Sequence, residues 1–153
     1  MPEFIPVLTK IDLRDSVAAL GKQISEDYQG KDLVLVCVLK GAFVFLSDLI
    51  RSITIPVKID FIRAASYGDG VETSGNIRLT KDVEIDLKDK EVLVVEDIVD
   101  TGLTIAHLVD YLKSFGLKSV KVCALVDKRE RRQASVDVDY ACHIVEQGFL
   151  VGY

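Results

Sequence analysis

This sequence predicts a doubly wound α/β domain with a mainly parallel central sheet flanked by helices, and three observations carry that expectation. LVLVCVL (33–39) and VLVV (92–95) are apolar without alternation and too short for free helices, the pattern of strands covered on both faces. Other stretches repeat their apolar residues at helical spacing. The two kinds alternate along the chain with no repeat, low-complexity tract or linker between them, so residues 1–153 read as a single domain.

Taken in order, the first helix is capped by Asp12, buries Leu13, Val17, Leu20 and Ile24 at spacings of four, three and four, and ends at Gly30. Leu33 to Leu39 is the first buried strand. Ala42 to Arg51 reads as the crossover helix, closed off by Pro56. Val57 to Ile62 alternates Val57, Ile59 and Phe61 against Lys58 and Asp60, a strand with one wetter face. AASYGDGVETSG (64–75) is small, polar and glycine-containing, and predicts a mobile loop, with a short strand returning at Asn76 to Leu79. Val92 to Val95 is the next buried strand. A helix beginning near Ile105 then buries Ile105, Leu108, Val109, Leu112 and Phe115, and Gly116 closes it. Val120 to Val126 is another buried strand, and 138–145 and 149–151 read as two shorter ones.

Composition narrows the class. An apolar fraction of 49% with 28% charged residues suits a globular chain of 153 residues. A formal charge of -5 argues against nonspecific binding to nucleic acid or membrane. Cys37, Cys123 and Cys142 are odd in number, far apart and outside any CxxC spacing, so they read as reduced thiols. Glu3, Lys10 and Asp12 interrupt any leader-like apolar run, and the apolar stretches are too short to span a bilayer. A cytoplasmic location is the expectation.

Chemistry concentrates in VLVVEDIVDTGLT (92–104). Ligands of doubly wound sheets bind beyond the carboxyl ends of the strands, where Glu96 and Asp97 fall. The turn Asp100-Thr101-Gly102-Leu103-Thr104 leads into a helix whose first amides point outward unpaired, and Gly102 permits close backbone approach. That is an anion cradle. Two carboxylates beside it suit the hydroxyls of a sugar phosphate, and carboxylates can also help hold Mg²⁺. The same residues fit a plain solvated loop with Thr101 as a helix cap, and the residue pattern alone leaves both readings open.

Residues 92–104 resemble the phosphoribosyl pyrophosphate (PRPP) signature of type I phosphoribosyltransferases. LKGAFVFLSDL (39–49), SYG…SG (66–75), LVDKRERR (125–132) and FLVGY (149–153) extend the resemblance, in order, to the hypoxanthine-guanine phosphoribosyltransferase family. There is no GxGxxG after a strand and no GxxxxGK[ST]. The resemblance implies the type I phosphoribosyltransferase fold with a flexible lid loop around 64–80. It also implies purine salvage, in which hypoxanthine or guanine displaces pyrophosphate from PRPP to give IMP or GMP with Mg²⁺.

The resemblance further implies residue roles. Glu96 and Asp97 meet the ribose hydroxyls and, partly through substrate, the metal. Thr101, Gly102, Leu103 and Thr104 cradle the 5′-phosphate. Asp100 is the candidate general base near purine N7. Lys40 and Gly41 bind pyrophosphate, after a peptide that is often cis in the family, and Arg132 is a second pyrophosphate candidate. Lys128 donates to the purine 6-oxo group, Phe149 stacks on the base and the backbone of Leu150 reads its edge. Ser66 and Tyr67 belong to the lid. His107 and His143 carry no role. A homodimer or homotetramer acting on small molecules is the expected assembly.

Two departures from the family pattern stand out. Where the family continues past Gly-Tyr with an aspartate for Mg²⁺ and an arginine for pyrophosphate, this sequence stops at Tyr153; a natural short form, a truncated chain and a weak enzyme all stay open, and the loss of such a stabiliser implies a rate cost of about 10²–10³. ACHIVEQG (141–148) lacks the family's proline and aromatic before Phe149, which implies a reshaped base pocket. A second expectation therefore stands beside the enzyme: a protein of the same fold that senses PRPP or a purine nucleotide without turnover.

Overall fold

The computed structural model of the chain describes residues 3–66 and 77–153. Nine elements follow in order: α1 (Lys10–Asp27), β1 (Leu33–Val38), α2 (Phe43–Ser52), β2 (Val57–Ser66), β3 (Ile77–Lys81), β4 (Glu91–Val99), α3 (Leu103–Lys113), β5 (Ser119–Lys128) and β6 (Tyr140–Val145). The strands form a six-stranded sheet in the order β3-β2-β1-β4-β5-β6. Only the β2–β3 pairing is antiparallel among those described. The doubly wound expectation holds.

The unalternating strands are apolar throughout because each face of the sheet has its own core. Leu33, Leu35 and Cys37 of β1 join Val17, Leu20 and Ile24 of α1 and Phe45 and Leu49 of α2. Val34, Val36 and Val38, one residue out of phase, join Ile105, Leu108 and Leu112 of α3. A strand whose odd and even residues are both buried has no position for a polar side chain.

Several boundaries differ from expectation for physical reasons. Thr9, not Asp12, caps α1: Thr9 Oγ1 accepts from the Asp12 amide at 3.1 Å, and Asp12 Oδ2 accepts from the Thr9 amide at 2.8 Å. This reciprocal capping box starts the helix at Lys10. α3 begins at Leu103 rather than Ile105, with Gly102 as its N-cap at φ 80°. The strand expected at 149–151 does not form; the segment lies between Gly148 and Gly152, at φ 108° and 103°. β2 runs on to Ser66 and pairs with β3, so the ends of the expected lid (64–80) are strand. The rest of that loop, including Tyr67, falls outside the described residues.

The most consequential difference is the length of β4. It continues four residues past the expected end at Val95, so Glu96 and Asp97 lie within it. Pairing with β1 stops at Cys37↔Val95, whereas pairing with β5 persists to Val99↔Asp127. A one-sided extension of this kind opens a crevice between β1 and β4, the point where strand order reverses and ligands of this architecture bind.

Candidate active site

The crevice is a cleft of about 270 Å³ whose lining includes Leu39, Glu96, Asp100, Gly102 and Thr104. β1 supplies one wall. Beyond Val38 the chain turns through a cis peptide between Leu39 and Lys40, and Lys40 and Gly41 stand exposed before α2. A Cβ on Gly41 would lie 2.5 Å from Asp97 Oδ2, so only glycine lets this turn close on the carboxylate.

β4 supplies the floor. Each acid folds back onto the following amide: Glu96 Oε1 accepts from the Asp97 N–H at 2.9 Å, and Asp97 Oδ1 accepts from the Ile98 N–H at 2.8 Å. Burial, reinforced by the adjacent Asp97, raises the Glu96 carboxyl well above its ordinary range.

The turn after β4 supplies the far wall. Thr101 Oγ1 accepts from the Leu103 N–H at 3.3 Å. The N-cap Gly102 makes no side-chain cap, so the helix start keeps unpaired amides for an anion. A Cβ on Gly102 would meet Val136 Cγ1 at 2.8 Å and Arg132 Cδ at 3.0 Å.

Two strand ends meet at Asp100. Its Oδ1 lies 3.8 Å from Lys128 Nζ at the end of β5, and its Oδ2 lies 3.5 Å from Arg131 Nη1. Asp100 Oδ1 is buried and accepts no hydrogen bond among the described residues.

Arg132 braces the turn after β4. Its Nε donates to the Asp100 carbonyl at 3.0 Å, and its Nη2 donates to the carbonyls of Val99 at 3.3 Å and Lys128 at 3.1 Å and to the Asp127 carboxylate. Nε and Nη2 of the guanidinium are thus committed to the turn and to Asp127. Asp127, with a side chain only 4% exposed, is the residue sequence reasoning missed. The signal was an acid closing the apolar run VCALV, five positions before an arginine. Arg131 was missed likewise.

The carboxyl-terminal segment stands apart from these walls. Phe149 is 89% exposed, which removes it from the core, and Leu150 packs partly against the α1–α2 side. A larger groove of about 370 Å³ lies between α1 and α2 beside Tyr153, and none of the signature residues borders it.

Comparisons with known proteins agree with this geometry. The phosphoribosyl transferase domain model matches residues 10–153. The chain is 40% identical over 142 residues to the hypoxanthine-guanine phosphoribosyltransferase of Streptococcus thermophilus, covering 93% of this chain and 79% of the relative. It is 41% identical over 148 residues to that of Aquifex aeolicus, covering 96% and 83%. Its fold superposes with a TM-score of 0.93 on a crystal structure of a hypoxanthine phosphoribosyltransferase from Staphylococcus aureus, at 38% identity, over 96% of this chain and 80% of that one.

Proposed function

The chain belongs to the hypoxanthine-guanine phosphoribosyltransferase family, and from that membership we propose that it is a purine-salvage enzyme converting hypoxanthine or guanine and PRPP to IMP or GMP and pyrophosphate. One observation carries the reading: a crevice lined by Glu96, Asp100, Gly102 and Thr104 opens where β4 outruns β1, with the Asp100–Lys128 pair beside it.

In the reaction, purine N9 bonds to ribose C1 as the bond from C1 to the pyrophosphate oxygen breaks. The ring proton passes to Asp100, whose buried Oδ1 accepts no hydrogen bond among the described residues. Glu96 and Asp97 accept from the ribose hydroxyls through the oxygens their own backbone leaves unused. Thr101, Gly102, Leu103 and Thr104 hold the 5′-phosphate, and Lys40 with the Gly41 amide meets the leaving pyrophosphate, where negative charge grows. Lys128 has donors only, so it accepts a 6-oxo group and rejects a 6-amino group. Phe149, exposed in the free protein, stacks on the base, with the Leu150 backbone at its edge.

The donor set suits Mg²⁺ in one particular way. Among the described residues no three His, Cys, Asp or Glu side chains converge to hold an ion. Mg²⁺ commonly binds one or two carboxylates with substrate phosphates and waters completing its shell, which Glu96 and Asp97 can provide. When bound, the ion neutralises charge on the diphosphate. A homodimer or homotetramer is the proposed assembly.

A coupled pyrophosphate-release assay with Mg²⁺, PRPP and each of hypoxanthine, guanine, xanthine and adenine tests the proposal. Release with hypoxanthine or guanine, at least about tenfold faster than with adenine, is expected. No release with any base, with IMP still bound, would establish the sensor reading instead.

A further inference from the structure

Arg132 and its neighbours hold three successive carbonyls of the phosphate turn. The Arg132 guanidinium takes the carbonyls of Val99 and Asp100, at 3.3 and 3.0 Å. The amides of Gln133 and Ala134 both donate to the carbonyl of Thr101, at 2.8 and 3.1 Å. In a trans peptide the carbonyl and the next residue's N–H point in opposite directions. Fixing the carbonyls of Val99, Asp100 and Thr101 on one side therefore turns the amides of Asp100, Thr101 and Gly102 to the other. The cleft is bordered by Val99, Asp100, Gly102 and Thr104, and no residue of 129–136 lines it.

The brace is anchored from behind. Asp127 is 3% exposed and accepts from Nη2 of Arg132, and the same Nη2 donates to the Lys128 carbonyl at 3.1 Å. Asp127 also pairs in register with Val99 across β4 and β5. A buried acid fixes the arginine's rotamer, and the arginine fixes the turn. Packing closes the arrangement, since Arg132 Cδ and Val136 Cγ1 occupy the space where a Gly102 side chain would stand.

We propose that the Asp127–Arg132 pair is a positioning device that aims the amides of the 100–104 turn at the ligand's 5′-phosphate. Arg132 touches neither the reacting atoms nor pyrophosphate; it acts through the backbone it holds. The inference rests on the phosphoribosyltransferase reading above, and its test separates the two.

Calorimetric titration with IMP and with inosine, which lacks the phosphate, isolates the phosphate contribution. Arg132→Gln should weaken IMP by about 10–100-fold, the cost of misplacing a binding group by an ångström or less, while inosine affinity holds. The KM for pyrophosphate in the reverse reaction should stay unchanged at saturating IMP. Arg132→Lys, which keeps the charge but loses the fork, should fall between. Should Arg132→Gln lose its cooperative thermal transition, Asp127→Asn is read in the same way.

A measurement without any variant completes the test. IMP, but not inosine, should slow hydrogen exchange at the amides of Asp100, Thr101 and Gly102. Unchanged IMP affinity in a folded Arg132→Gln, a loss confined to pyrophosphate, or equal protection by inosine would overturn the proposal. A wild-type protein that neither binds IMP nor releases pyrophosphate would overturn the transferase reading instead.

Discussion

Asp100 sits between two cations, with Lys128 Nζ at 3.8 Å and Arg131 Nη1 at 3.5 Å, yet its Oδ1 is buried and accepts no hydrogen bond among the described residues. With Asp100 proposed as the base, this sets up a residue-scale prediction. Asp100→Asn keeps the shape and removes the basicity. kcat should fall by about 10²–10⁴ while IMP affinity holds, measured by steady-state kinetics and titration. An undiminished kcat would remove Asp100 from the role of base. Lys128 belongs to the same pair: its side chain is 9% exposed, and Asp100 is the carboxylate nearest to offset its buried charge. The candidate base and the candidate purine-reading lysine are thus one electrostatic unit.

At the scale of elements, the phosphate turn depends on one glycine in a way that another glycine of the same chain calibrates. Gly102 and Gly30 both adopt positive φ, 80° and 75°. A Cβ at Gly30 would meet nothing within 4 Å, whereas at Gly102 it would press on Val136 and Arg132. Gly30→Ala should therefore cost only the left-handed backbone term, about 1–2 kcal/mol. Gly102→Ala should cost that plus overpacking of about 1–3 kcal/mol, and should also weaken IMP because the brace is displaced. Urea unfolding of both variants checks the difference; equal losses would show that the turn yields freely. Another element carries the site in a different way. β4 keeps pairing with β5 after β1 has turned away, and this sets Glu96 and Asp97 on a rigid strand. Side chains on a strand hold their geometry better than the same groups on a loop.

At the scale of the whole molecule, the two-faced sheet isolates its thiols. Cys37 and Cys123 are fully buried in the core between the sheet and helices α1 and α2, and Cys142 packs at its margin. Burial pushes Cys37 up to about 12 and Cys142 up to about 11, and raises Cys123 well above the ordinary thiol. A raised thiol is less ionised at a given pH, and ionisation grows about tenfold with each pH unit. At pH 8, three units below its value, Cys142 is thiolate in about one molecule in a thousand. Native protein at pH 8 should therefore react slowly with a disulfide reagent, at Cys142 first, and all three cysteines should react at once in denaturant. Fast labelling of Cys37 in native protein would show that the sheet opens readily.

The sequence by itself determined the order of helices and strands as far as β6, the burial of both sheet faces and the place of the glycine turn after β4. Each is a local consequence of periodicity or turn chemistry: a strand covered twice must be apolar throughout, and a helix start leaves amides free. Even so, the Thr9–Asp12 cap was local and was misplaced, because Asp12 serves as the third helical residue rather than the cap. Tertiary structure alone decided where β1 and β4 part, and so where the crevice opens. It also decided that Arg132 donates to the carbonyls of Val99 and Asp100. The physical reason is that a charged side chain takes the partners the fold brings within reach. For Arg132 two of those partners, the carbonyls of Val99 and Asp100, lie on a strand end and a turn far away in sequence, where no local spacing records them.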